Sequence, residues 1–548
     1  MKFFTTVFTA ISVFFGSFIA LFSGTSTYNY RIDATSTGGV IPNIVDNINV
    51  WDMGTQFYNA TRNEKYDVYK FVKYVQLMQC TGGTYERDLF KDPRDTSTLT
   101  DYDFTRLINN CRGILGLGAK PHLKLGGVPI KYTTDAVLGG FNMNVYPPDD
   151  YNVYYNYIKA MALALVDEFG LDEVRTWRFG CMTEYENAAW FYAKDETPKS
   201  SLTAYCKLYD YTVQALIDVI GEDVFVGAHC MGVTEGLWDE RDFLKHCGTG
   251  KNYATGEKGA RICFVSASFY DSRPGKYTKG FTLPQLMRHL KKAADKYGLD
   301  NIIFGIDEGR ILSGVNSGKD DDALDARKTG YTWQAAYDAR LFKQAIDSGM
   351  DYFSSWSFLT GGNLSGYPTI SYHVANNIYK FAGGRQAKVT KTHMNAGFKI
   401  ESDCLASWDE DSQTLRLMAY NFKNSLEYSK DMKVNFDIKS PLPDGKTVTV
   451  IKYLVNDDCN FFDEWLEDRK TYGIGNDCFS WSPDDACIDG TVTLSDSRAR
   501  EIYFSKLRDG YEECARLTPV TETAVVENGR LKLSETLGAG NVVFYEIH

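Results

Sequence analysis

The chain has 548 residues, 44% of them hydrophobic and 24% charged, with a net charge of −12 at pH 7. This is the composition of a soluble globular protein, too long for one ordinary domain. The acid excess, with no basic run, excludes a nucleic-acid binder, and seven His without an HExxH-type spacing argue against a catalytic transition metal.

Residues 1–24, "MKFFTTVFTAISVFFGSFIALFSG", carry one cation and then an apolar run from Phe3 to Phe22. The pattern is a signal peptide or a membrane anchor. Either way the body of the chain is expected outside the cytoplasm, secreted or held on the outer face of the membrane. Residues 40–383 then alternate short apolar runs with longer amphipathic stretches. The apolar runs are "INVWDMG", "KYVQLMQ", "AKPHLKLGG", "VRTWRFGCMTE", "DVFVGAHC", "ICFVSASFY", "NIIFGIDEG" and "DYFSSWSFL". Between them lie helical patterns such as "YNVYYNYIKAMALALVDEFG", with apolar residues three and four apart and a Gly stop. Eight strands alternating with helices predict an α/β fold, a (β/α)8 TIM barrel. No GxGxxG or Walker pattern points to a nucleotide. From 384 to 548 the texture changes to "TLRLMAYNF", "KTVTVIKYL" and "NVVFYEIH", without long helices between, which predicts a C-terminal β-sandwich domain. Cys181, Cys230 and Cys263 fall in or beside strand-like runs, where thiols pack as small hydrophobes.

In such barrels chemistry sits at the C-terminal ends of the strands. The fourth predicted strand ends in Glu184 and the seventh in Asp307-Glu308. Two carboxylates so placed can face each other across the mouth. Glycoside hydrolysis needs that pair, one as proton donor and one as nucleophile, about 5–5.5 Å apart if the anomeric configuration is retained. A lone acid at a strand end is more often a cap or a solvated charge. The two together, with Trp51, Tyr270 and Trp356 at other strand ends, favour a sugar site. Glu186 is the alternative at strand four, expected further out in the loop. Asp307 is the alternative at strand seven, and alternation gives it a structural role.

The residues also carry a family resemblance. "DYDFTRLINNCRGILGLGAKPHLKLGGVP" resembles the approach to the third strand in glycoside hydrolase family 39, the clan A family of β-xylosidases and α-L-iduronidases. "FGLDEVRTWRFGCMTEYEN" resembles its "YG-EEV-TW-FEVWNEPN", "ICFVSASFY" its "DFVS-H-Y", and "SLTAYCKLYDYTVQAL" its "Y-KLY" helix. The likeness runs in order from Asn49 to Phe358. It implies a retaining glycosidase, β-xylosidase-like, acting on plant-type oligo- or polysaccharides without a cofactor. By position, Glu184 becomes the acid/base and Glu308 the nucleophile, with Tyr270 bonded to Glu308 and Trp356 under the cleaved sugar. Trp51 and Gln79 would line the same pocket. The chain is a divergent member. Thr183 stands where the family has the Asn that holds the sugar 2-hydroxyl, "VQLMQCTGG" replaces "VRFHG", and Ser268 replaces a His. These losses keep open a second reading, a non-catalytic carbohydrate-binding protein on a degenerate barrel. For a uronic-acid substrate, Arg310 and Lys124 are the candidate cations.

Overall fold

The structure is a computed structural model that describes residues 25–50, 53–55, 57–62, 65–232, 236–270, 272–273, 275–277, 280–310, 331–356, 368–395, 397, 399–473 and 497–548. The signal or anchor segment lies outside the described residues. Among these, no helix is long and apolar enough to cross a membrane.

The eight runs read from the sequence are the eight strands of a parallel barrel. They are β2 (Asn47–Val50), β3 (Tyr74–Leu77), β4 (Lys120–Leu125), β5 (Arg178–Cys181), β6 (Val226–Cys230), β7 (Phe264–Tyr270), β10 (Ile303–Arg310) and a split eighth strand. The first half of that eighth strand, β11 (Tyr352–Phe353), pairs with β10. The second half, β12 (Ser355–Trp356), pairs with β2 and so brings the sheet round on itself. The two-residue strands β8 (Ser272–Arg273) and β9 (Lys276–Tyr277) form a small ribbon after β7. Barrel strands buried on both faces read as continuous apolar runs, which is why all eight were visible in sequence.

The helix Tyr151–Phe169 shows how local signals set the frame. Asp150 caps it by accepting from the Asn152 amide, and Gly170 ends it at φ 81°. Tyr154, Tyr157, Ile158, Met161, Ala162 and Leu165 form its buried stripe. Burying each large member of such a stripe contributes roughly 1.5–3 kcal/mol. The helix Leu283–Lys296 begins with a capping box between Thr282 and Gln285. In the helix Thr105–Gly116, Gly113 lies directly against the Phe57 carbonyl, with no room for a β-carbon. Gly113→Ala is therefore expected to lower stability by about 1–3 kcal/mol, read as an earlier midpoint in urea unfolding.

The second domain is a mostly antiparallel nine-stranded sheet in the order β18-β17-β20-β15-β14-β13-β1-β16-β19. Its members are β13 (Arg385–Met394), β14 (Cys404–Asp409), β15 (Thr414–Tyr420), β16 (Met432–Lys439), β17 (Thr447–Val455), β18 (Val520–Val525), β19 (Arg530–Leu537), β20 (Val542–Ile547) and β1 (Ser26–Val40). The stretch before residue 40, left unassigned by the sequence pattern, is thus a strand between β13 and β16. Tyr30 pairs with Lys391 on one side and Phe436 on the other. The sequence pattern showed no long helices in this domain. The structure has one at Phe462–Tyr472 and shorter ones at Ser497–Ile502 and Arg508–Cys514. The two domains pack closely: Trp333 donates its indole N–H to the Lys423 carbonyl, and Arg340 pairs with Glu401. Cys181 and Cys230 are buried free thiols, and Cys263 is half-buried.

Candidate active site

Parallel strands share one C-terminal end, so Glu184, just past β5, and Glu308, near the end of β10, belong to one barrel mouth. Glu184 sits at φ 46°, in the left-handed region that only Gly adopts freely. Such strain persists where the surroundings over-determine it, and it concentrates at functional sites. A tight turn supplies that constraint. The Asn187 amide N–H donates to the Glu184 carbonyl at 2.7 Å. The Asn187 side-chain amide donates to Glu184 Oε2 at 2.7 Å, and the Trp190 indole N–H donates to the same oxygen at 3.2 Å. Among the described residues, Oε1 has no hydrogen-bond partner.

Glu308 is 6% exposed and accepts from the Tyr270 hydroxyl, which the adjacent strand β7 carries. A register shift between Ile306 and Glu308 inserts Asp307 as a bulge. Asp307 is gripped from four other strands. Its carbonyl accepts from Asn49 at 2.8 Å and Gln76 at 3.2 Å. Its carboxylate accepts from the Tyr352 hydroxyl at 2.6 Å and pairs with the Lys124 ammonium. Burial pushes the Asp307 carboxyl up, but Lys124 overrides this and holds it well below the usual carboxylate range. The Lys124 ammonium is held below its usual range, because burial outweighs the upward pull of Asp307 and then Glu308. Asp307 therefore has the structural role expected of it, and Lys124 is committed to Asp307. Arg310, the other candidate cation, forks onto Asp338 with Ser371 alongside, fully buried. Neither cation stands ready for a substrate carboxylate.

Glu186 lies in the loop past β5, as the sequence suggested, but it is buried there. It is 1% exposed, and Oε1 accepts from the Met231 amide at 2.7 Å, past the end of β6. Burial pushes its carboxyl well above the usual carboxylate range. The turn folds it back under the 236–240 segment, where Leu237 N–H donates to its carbonyl at 2.6 Å.

Thr183 is buried beside Glu184, 4% exposed. Gln79 ends the β3 run at φ 58°, is also 4% exposed, and has both amide atoms buried without a hydrogen-bond partner among the described residues. Trp51 lies outside the described residues. So does the side chain of Trp356, whose backbone closes β12. Asn187 and Trp190 were missed in sequence. Their signal was present only as an Asn and a Trp three and six residues after an acid at a strand end.

Residues 85–471 match the family profile described as glycosyl hydrolases family 39. The chain belongs to that family. Two family relatives by sequence are a beta-xylosidase from Geobacillus stearothermophilus, 30% identical over 181 residues, and one from Caldicellulosiruptor saccharolyticus, 23% identical over 210. These matches cover 32% and 37% of this chain and span 32% and 40% of the relatives' own length. Across almost the whole chain the fold is similar to a GH39 enzyme from Xanthomonas axonopodis pv. citri, with TM-score 0.62, 15% identity, and 95% of this chain and 97% of that one covered. A monomeric beta-xylosidase from Caulobacter crescentus CB15 is similar in fold too, with TM-score 0.62, 16% identity, and 95% and 99% covered.

Proposed function

We propose that this family 39 chain is a retaining glycosidase for neutral plant-type oligo- or polysaccharides, β-xylosides first among them, with Glu184 as acid/base and Glu308 as nucleophile. One observation carries the reading: two carboxyl groups, from strands four and seven, stand at one barrel mouth, and each is oriented by its own hydrogen-bond donors.

The Glu308 carboxylate attacks the anomeric carbon, with Tyr270 holding its other oxygen. The bond to the leaving oxygen breaks as Glu184 gives that oxygen its proton, and a glycosyl ester forms on Glu308. Glu184, now a carboxylate, takes a proton from water. The water oxygen attacks the anomeric carbon, the ester breaks, and Glu308 is restored. The balance needs no cofactor. Asn187 and Trp190 both donate to Oε2, which leaves Oε1 to carry the proton. A buried amide without partners costs about 1–3 kcal/mol per group, so Gln79 supports a pocket that closes on sugar hydroxyls. Thr183, Trp51 and Trp356 belong to the same proposed pocket. The apolar run in residues 1–24 supports export, and recovery of the native protein in the cytosol would contradict it.

The test is Glu184→Ala. Xylobiose, a poor leaving group, should lose about 10³-fold or more in turnover, while 2,4-dinitrophenyl β-xyloside keeps a fast first step. Azide should then speed the aryl substrate and give the β-xylosyl azide. If both substrates lose equally and azide does nothing, Glu184 is not the acid/base. If wild type and Glu184→Ala are equally inert on both, the carbohydrate-binding reading replaces the enzyme.

A further inference from the structure

On β10, Ile306 stands beside Ala267 and Glu308 beside Ser268, which are consecutive residues of β7. Asp307 is the extra residue between them. A bulged residue is left out of the ladder, so other contacts must fix it, and a bulge re-aims the side chain next to it. Here that side chain is Glu308, held against Tyr270.

The contacts that fix Asp307 come from across the barrel, and the sequence clears a path for two of them. Lys124 reaches the Asp307 carboxylate from β4, where it is in register with Gly180 of β5. A β-carbon on Gly180 would stand 2.9 Å from Lys124 Cδ, closer than carbon atoms pack. Tyr352 reaches the same carboxylate from β11, where it is in register with Gly305 of β10. A β-carbon on Gly305 would overlap the Tyr352 ring. The Lys124 stem thus passes over one glycine and the Tyr352 ring over the other. On the main-chain side, Asn49 and Gln76 are neighbours in register on β2 and β3, and both donate to the Asp307 carbonyl. The preceding residue is held as well, since Ser354 N–H donates to the Ile306 carbonyl at 2.6 Å.

We infer that Asp307 is a positioning residue for the nucleophile: Lys124 and Tyr352, given passage by Gly180 and Gly305, fix the bulge that presents Glu308 to the anomeric carbon. The inference rests on the proposed glycosidase reading, in which Glu308 attacks. Asp307 is fully buried, so its influence passes through the main chain to the next residue. Stability does not account for the pair, because well-packed apolar side chains of similar volume often serve stability as well or better. A carboxylate with a donor on each oxygen fixes one geometry, which apolar packing does not. A misplacement of about 1 Å at a reacting group costs about 10²-fold in rate.

The experiment compares wild type, Lys124→Met/Asp307→Asn and Gly180→Ala, each well below its unfolding midpoint. Two quantities are read. One is the first-order rate of glycosyl-ester formation at saturating 2,4-dinitrophenyl 2-deoxy-2-fluoro-β-xyloside, followed as dinitrophenolate release. The other is the inhibition constant of xylose. The double variant should form the ester about 10²-fold more slowly, with the xylose constant within about 2-fold of wild type. Gly180→Ala keeps both charges and displaces only the Lys124 stem. It should slow the same step by about 10-fold, again with xylose unchanged, and it decides the matter if the double variant does not fold. A loss of stability alone moves the unfolding midpoint and not a first-order rate measured on folded protein. If either variant folds and forms the ester at the wild-type rate, the inference is overturned and the glycosidase reading stands. A wild type that forms no ester sinks both together.

Discussion

Replacing Glu308 by Gln should lower turnover by about 10⁴-fold or more, the scale seen when a covalent nucleophile is removed, with little change in unfolding midpoint. An amide keeps the volume of the carboxylate and still accepts from Tyr270, so packing at this 6%-exposed position survives. What it cannot do is attack the anomeric carbon. Glu308→Gly should be rescued by azide on an activated aryl xyloside, with the small anion attacking from the vacated side. Its product should be the azide of inverted configuration, whereas Glu184→Ala gives the retained one. The pair of products separates nucleophile from acid/base in a way that loss of activity alone does not. The same anomer from both variants would mean that the roles are misassigned.

The second large effect is on stability. Lys124 and Asp307 are buried together inside the barrel, their side chains 1% and 0% exposed. Lys124→Met leaves a buried carboxylate without its counter-charge and should cost about 3–5 kcal/mol. The double variant Lys124→Met/Asp307→Asn removes both charges and should recover much of that loss. The pH dependence has a definite sign. The folded Asp307 carboxyl lies below its unfolded value, so its contribution is fully present above about pH 4. That contribution is lost as the pH falls through the folded value. In the variant, burial without Lys124 raises the Asp307 carboxyl, so the stability gap between wild type and Lys124→Met should narrow as acidification protonates that unpaired carboxyl, measured by urea unfolding with Trp fluorescence. A gap that widens on acidification would show that the ion pair is not what holds the bulge before Glu308.

The barrel and its two acids were legible in sequence for separate physical reasons. Doubly buried strands are written as unbroken apolar runs, and a carboxylate straight after such a run marks a strand's C-terminal end. What stayed hidden depends on contacts far apart in the chain. Strand β1 could not be assigned because Thr27 pairs with Met394, and nothing near residue 27 announces that partner. Lys124, in the third strand, read as a candidate substrate cation because its partner, Asp307, lies 183 positions away. The burial of Glu186 and the grip of Asn187 and Trp190 on Glu184 follow from one turn in which Glu184 takes a positive φ, a conformation that a Thr-Glu-Tyr-Glu-Asn string does not signal. The bulge at Asp307 breaks the alternation by which strand faces are read, and only the paired strand β7 reveals it.

The most direct measurement is to trap the glycosyl-enzyme with 2,4-dinitrophenyl 2-deoxy-2-fluoro-β-xyloside, digest it, and locate the label by mass spectrometry. The 2-fluorine slows both formation and hydrolysis of the ester, and the activated leaving group restores the rate of formation alone, so a retaining enzyme accumulates the intermediate. The account predicts one fluoroxylosyl group on Glu308, on both wild type and Glu184→Ala. A label on Glu184, or turnover of the aryl xyloside by a wild type that never accumulates a label, would contradict it.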